Sequence, residues 1–126
     1  MSMVNPLAKA RGLGSAKSGV HHWYVQRASA LMLLFLVGWL IFSMFQLAGA
    51  DHAQARAFLS SPYNAAFMIL LLITLFYHGM LGLQVVIEDY VHKAGLEIAL
   101  LFLTRAGAFS GMAIGTVYVL KLALGA

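Results

Sequence analysis

The chain has 126 residues, 62% of them hydrophobic and only 10% charged, with a formal net charge of +4 and no cysteine. With a mean hydropathy of +0.86, it has too little polar surface for an ordinary soluble domain, so the solvent for most of it is a bilayer. The missing cysteines exclude a disulfide framework and any thiolate-held metal.

Residues 1–20 read as an irregular tail. Pro6, Gly12, Gly14 and Gly19 punctuate it, and it lacks the apolar stretch of a signal peptide. The first long apolar segment covers about residues 28–48, "ASALMLLFLVGWLIFSMFQLA". The loop after it, "GADHAQARAFLSSPYN", carries Asp51, His52 and Arg56 and reads as a solvated connection with a short helical piece. Ser60 or Ser61 can cap the next helix, and Pro62 suits its first turn. A second apolar segment follows at about residues 65–87. "HKAGLE" then supplies Gly95 as a helix terminator, and a third segment at about 98–124 is interrupted only by Arg105 and Lys121.

A hydrocarbon core of about 30 Å takes about 20 residues of helix per crossing. The three runs are continuously apolar rather than alternating, which argues against a barrel. The expected fold is all-α: an integral membrane bundle of three transmembrane helices forming a single membrane-anchor domain over residues 1–126.

The basic residues do not form a nucleic-acid-binding patch. Lys9, Arg11, Lys17 and Arg27 precede the first span and Lys93 follows the second, whereas only Arg56 and Lys121 fall on the other side. By the positive-inside rule the N-terminus and the second loop are cytoplasmic. Arg105, about two turns into the third span, must either snorkel to headgroups or pair with Glu88 or Asp89 on the neighbouring helix.

Three spans with short connections enclose little, so chemistry on a soluble substrate requires other chains. Gly107, Gly111 and Gly115 give the third span a face for close helix approach. That face suits either this chain's own bundle or another subunit.

The stretch "HGMLGLQVVIEDY" at 78–90 carries the chemistry. His78 stands alone among the predicted spans. From His78 to Asp89 is eleven residues, or about 1,100° of helix, three turns plus about 20°. An unbroken helix therefore puts both on one face, about 16 Å apart in rise. Gly82 lies one turn from His78 on nearly the same face, with Gly79 adjacent, leaving room for something flat and bulky. An intramembrane histidine is a ligand, a proton relay or a metal site, or else it is hydrogen-bonded to a neighbouring helix carbonyl. If it ligates a bis-histidine haem, the second imidazole comes from another chain. Tyr90 can donate to a carbonyl oxygen and Asp89 can move protons, which suits quinone reduction. The same pair also reads as an interfacial aromatic beside a helix-end acid.

These residues carry a resemblance. "HGMLGLQVVIEDY" resembles the second-helix signature H-x3-G-x6-D-Y of the smaller membrane-anchor subunit of succinate dehydrogenase, respiratory complex II. "GVHHWYVQRASALMLL" is similar to the start of that family's first helix, a Gly-Val-His followed six residues later by Arg-Ala, which aligns His21 and Arg27. His22 adjoins the aligned histidine, and the third span matches in hydropathy.

The resemblance implies an anchor subunit of a succinate:quinone oxidoreductase, not an enzyme alone. By it, His78 is an axial ligand of the iron of haem b, shared with the other, cytochrome b-type anchor subunit. Tyr90 and Asp89 line a ubiquinone site, and His21 and Arg27 meet haem propionates. The iron–sulfur and flavoprotein subunits dock on the cytoplasmic face. The implied location is a bacterial cytoplasmic (inner) membrane, crossed several times, with no nucleic-acid partner. The other readings are a fumarate reductase anchor and a non-catalytic structural membrane protein in which His78 is only packed.

Overall fold

The computed structural model describes residues 19–125; the tail at 1–18, with Pro6, Gly12 and Gly14, lies outside the described residues. Four helices follow in order: α1 (Gly19–Gln46), α2 (His52–Ser60), α3 (Pro62–Tyr90) and α4 (Ala94–Leu124). Among the described residues there is no strand. Helices α1, α3 and α4 are each long and apolar enough to cross a membrane. In hydrocarbon every backbone N–H and C=O needs an internal partner, and an uninterrupted helix supplies them all.

The helix ends have local causes. Gly19, expected in the irregular tail, is already helical, and the polar stretch "GVHHWYVQR" belongs to α1. A turn through Gly49 at φ 81° releases the chain from α1. Helix α2 starts with a capping box. The Asp51 carboxylate accepts from the Gln54 N–H at 2.8 Å, and the Gln54 side-chain oxygen accepts from the Asp51 N–H at 3.0 Å, satisfying two orphan donors. This is the short helical piece expected in the first loop.

Helix α3 has Ser61 at its N-cap position and Pro62 in its first turn, where a missing N–H costs nothing. Neither serine caps with its side chain: the Ser60 hydroxyl donates back to the Arg56 carbonyl at 3.0 Å, and Ser61 makes no side-chain cap bond. The Asn64 side-chain amide instead ties α3 to α2, donating to the Phe58 carbonyl at 2.9 Å. Gly95 does not terminate α3. The break comes earlier, at Val91, whose backbone is extended, and Gly95 lies inside the first turn of α4. The α4 C-terminus is closed by Gly125 at φ 80°, the left-handed position that favours glycine.

Helix α3 is the centre of the arrangement. Helices α1 and α4 each pack along α3, α2 packs across α3 and α4, and α1 and α4 do not pack along each other. Met80 and Leu81 of α3 are buried with Ala108 of α4, against Val25 of α1 and Phe76, Tyr77 and Met112. At the opposite end, Trp39 of α1 stacks on Phe58 of α2 at 6.3 Å and meets Phe67 of α3 at 5.3 Å. This aromatic wedge fixes one end of the α1–α3 pair and leaves the other end to be set by polar contacts.

The glycine face of α4 divides. A Cβ on Gly111 would lie 2.5 Å from the Phe76 ring and one on Gly115 3.0 Å from Leu72, whereas Gly107 meets nothing within 4 Å. Gly111 and Gly115 therefore serve the chain's own α3–α4 contact, and Gly107 is open.

This contrast is testable. Gly111→Ala forces the Phe76 ring aside and should destabilise the fold by about 1–3 kcal/mol. Gly107→Ala adds a better helix former without a clash, worth up to about 1 kcal/mol. Thermal melts of the two variants in detergent should shift in opposite directions, or Gly107→Ala should leave the melt unchanged.

Candidate functional site

The polar residues of two apolar helices meet at one place. On α1, His22, Gln26 and Ser29 stand at i, i+4 and i+7, a single stripe. On α3, His78, Gly82 and Val85 stand at i, i+4 and i+7 and face it. The α1–α3 pairing brings the stripes together near the N-terminal end of α1 and the C-terminal half of α3.

The link between them is the His78 ring. Its Nδ1 lies 2.9 Å from the Ser29 hydroxyl oxygen, and its Nε2 lies 3.5 Å from the Gln26 side-chain nitrogen. The Ser29 hydroxyl donates to the Gln26 backbone carbonyl at 3.0 Å. His78 is therefore not bonded directly to a neighbouring helix carbonyl; a serine stands between. Ser29 is buried, at 9% exposure, and His78 is half-buried.

Beside the ring lies a cavity of about 760 Å³, within the ~300–1,000 Å³ typical of small-molecule and cofactor sites. Gly82 forms part of its floor; a Cβ there would come within 3.6 Å of the Gln26 side-chain nitrogen. The α1 wall is formed by His22, Trp23, Gln26 and Arg27, with Ala30 deeper. Arg27 carries its guanidinium over the Trp23 ring, 5.7 Å from the centroid, a cation–π contact that steadies a long side chain. Gln84 and Glu88 complete the wall on α3, and the Gln84 side-chain amide donates to the Glu88 carboxylate at 2.8 Å.

Two polar atoms in this lining are buried without a hydrogen-bond partner: His22 Nε2 and Gln26 Oε1. An unpartnered buried polar atom costs about 1–3 kcal/mol.

The residues expected at the site are distributed unevenly. His78 and Arg27 line the cavity. His21 is exposed on α1 and outside the lining, while its neighbour His22 is inside. Helix α3 runs unbroken to Tyr90, so the stripe His78–Gly82–Val85 continues to Asp89. Asp89 and Tyr90 are exposed at the helix end, Tyr90 at 79%, beyond the cavity, with Glu88 at its edge. Arg105 is exposed on α4, and Glu88 is engaged by its own helix.

Gln26, Ser29 and Glu88 were not anticipated as site residues. The signal for the first two is present in the sequence, because His22, Gln26 and Ser29 are polar at helical spacing. What they face is decided by the α1–α3 contact.

A sequence model of the family "Succinate dehydrogenase/Fumarate reductase transmembrane subunit" matches residues 1–119. The chain belongs to this family. It is 41% identical over 85 residues, 68% of each chain, to the succinate dehydrogenase hydrophobic membrane anchor subunit of Rickettsia bellii. It is 34% identical over 100 residues, 79% of each chain, to that of Rickettsia conorii. With the subunit of Paracoccus denitrificans it shares 26% identity over 129 residues, covering 95% of this chain and all of the relative.

The resemblance read from the α1 and α3 motifs is thus met, and the chain is a succinate dehydrogenase membrane anchor of the three-span kind. Family and apolar helices together make it a multi-pass protein of the bacterial inner membrane. In this succinate dehydrogenase/fumarate reductase family the α1–α3 cavity is the feature of this chain to which chemistry can be attached.

Proposed function

We propose that this anchor subunit binds haem b at the α1–α3 cavity and contributes to a ubiquinone site at the adjoining end of α3. The observation that carries the reading is His78 lining a cavity of about 760 Å³, with two unpartnered polar atoms in the same lining. The donor set suits a porphyrin rather than a bare ion. Among the described residues no three His, Asp or Glu side chains are grouped to hold a metal, whereas a haem iron needs only one imidazole from each of two chains. The Gly82 floor accepts a flat ring, and Trp23, Ala30 and Val85 offer apolar contact.

His78 is the axial ligand in this reading, with Nδ1 engaged by Ser29 and Nε2 meeting only the 3.5 Å approach of Gln26. Arg27, and His22 in preference to the exposed His21, receive the propionates by charge-assisted hydrogen bonds. Bound there, haem supplies a one-electron carrier between the soluble subunits and the quinone. The second imidazole belongs to the other, cytochrome b-type anchor subunit. The open side of the bundle, where α1 and α4 leave each other free, suits that partner.

The quinone is substrate. Tyr90 at the α3 terminus donates its phenolic hydrogen to a quinone carbonyl oxygen, and Asp89 holds or moves a proton beside it. Their exposure in this chain agrees with a site completed by other subunits. The basic tail and Lys93 put this end on the cytoplasmic side, where the iron–sulfur and flavoprotein subunits deliver electrons. The relatives' names specify succinate dehydrogenase, which favours succinate oxidation over fumarate reduction. The chain acts throughout as a single anchor domain and is not an enzyme alone.

Three measurements on the purified complex test this reading. His78→Ala should lower haem content or change the b-type spectrum; an unaltered low-spin spectrum with unchanged midpoint potential overturns the ligand assignment. His22→Ala should shift the haem potential or content more than His21→Ala does, since His22 belongs to the cavity lining and His21 is exposed outside it; the reverse order restores the aligned histidine. Tyr90→Phe, which removes one hydroxyl, should slow quinone reduction about tenfold for a lost bond of about 1–1.5 kcal/mol. Electron delivery from succinate to an artificial acceptor at the soluble subunits should stay normal.

A further inference from the structure

Ser29 is buried in the middle of an apolar helix, where alanine would be the better residue for helix formation. Two other buried hydroxyls show what such residues ordinarily do here: Ser43 donates to the Trp39 carbonyl at 2.8 Å and Thr74 to the Leu70 carbonyl at 2.7 Å, each within its own helix. Ser29 does the same toward Gln26 at 3.0 Å, but its oxygen also reaches across to His78 Nδ1 at 2.9 Å.

A hydroxyl has one proton. That of Ser29 goes to the Gln26 carbonyl, so its oxygen accepts from the ring, and Nδ1 carries the hydrogen. The contact at the other ring nitrogen agrees. The Gln26 side-chain NH₂ approaches Nε2 at 3.5 Å, and a donor is accommodated there only if Nε2 bears a lone pair. Both contacts fit the Nδ1–H tautomer of the ring.

We infer that Ser29 is a positioning residue for His78: through its hydroxyl it fixes the imidazole as the Nδ1–H tautomer and holds Nε2 as a lone-pair donor for iron. This rests on the reading of His78 as a haem ligand. The chain of bonds runs from the His78 N–H to the Ser29 oxygen, and from the Ser29 O–H to the Gln26 carbonyl. Linked hydrogen bonds polarise one another, so the carbonyl dipole of α1 is felt at the ring. An imidazole that donates its remote N–H to an acceptor is a more basic ligand and is locked in rotation. The Gln26 side-chain nitrogen stands beside Nε2, at 3.5 Å.

The test uses the assembled complex carrying Ser29→Ala, Ser29→Thr or His78→Ala. Haem content, midpoint potential and the low-spin electron paramagnetic resonance spectrum are measured for each. Ser29→Ala leaves Nδ1–H without its acceptor and makes the ring a weaker donor, which disfavours ferric more than ferrous iron. Haem affinity should fall by about tenfold or more. The potential should move upward, by about 59 mV if the ferric-to-ferrous affinity ratio changes tenfold, and the spectrum should broaden as the ring loses its fixed orientation. Ser29→Thr keeps the hydroxyl and should return all three to the native values.

Native potential and spectrum in Ser29→Ala overturn the inference. So do equal changes in the alanine and threonine variants, which would make the effect one of packing. If Ser29→Ala loses haem entirely, recovery of native haem in Ser29→Thr supports the role of the hydroxyl, and failure to recover overturns it. His78→Ala separates this inference from the reading beneath it. Unchanged haem in that variant removes the ligand assignment itself, whereas a changed His78→Ala beside a native Ser29→Ala removes only the part given to Ser29.

Discussion

Hydrocarbon offers no partner for a backbone N–H or C=O, and the rest of this structure depends on that constraint. Each long apolar run must pair its own backbone, so each becomes an unbroken helix. Once the backbone is satisfied internally, the few polar side chains carry no structural duty to it. Leucine-rich surfaces give little preference among packings in lipid, since lipid tails are as apolar as the side chains. Small residues and polar contacts therefore decide which faces meet. Gly111 and Gly115 bring α4 against Phe76 and Leu72 of α3, and Ser29 and Gln26 bring α1 against His78.

The two contacts on α3 differ in kind. The α3–α4 contact is dry and close, built on missing side chains. The α1–α3 contact is closed at one end by Trp39, Phe58 and Phe67 and opens at the other into the cavity beside His78. A wedge at one end and a polar bridge further along hold the helices at a fixed separation while leaving space between them. His22 and Gln26, each with a buried polar atom lacking a partner, belong to the lining of this cavity.

Helices α1 and α4 each pack along α3 and do not pack along each other. In the proposed reading, this chain supplies one wall and one imidazole of a site that other chains complete. Among the described residues, Asp89 and Tyr90 are exposed at the end of α3.

The sequence by itself determined the solvent, the number of spans and the helical class, because these follow from the length and continuity of apolar runs. It also marked His78, since an ionisable group in such a run is costly to bury unpaired, and its helical period put Gly82 and Asp89 on the same face. It misjudged ends where the signal is weak. Gly19 lies in α1, and Gly95 lies in the first turn of α4, because α3 has already ended at Val91, whose backbone is extended. Which of His21 and His22 turns inward, and that Ser29 reaches His78, only the tertiary structure decided. Adjacent residues on a helix point about 100° apart, and which of them is buried depends on the rotation of α1 against α3. That rotation is set jointly by the aromatic wedge, the Ser29–His78 bond and the small residues between the helices, residues far apart in the chain whose agreement no local pattern records.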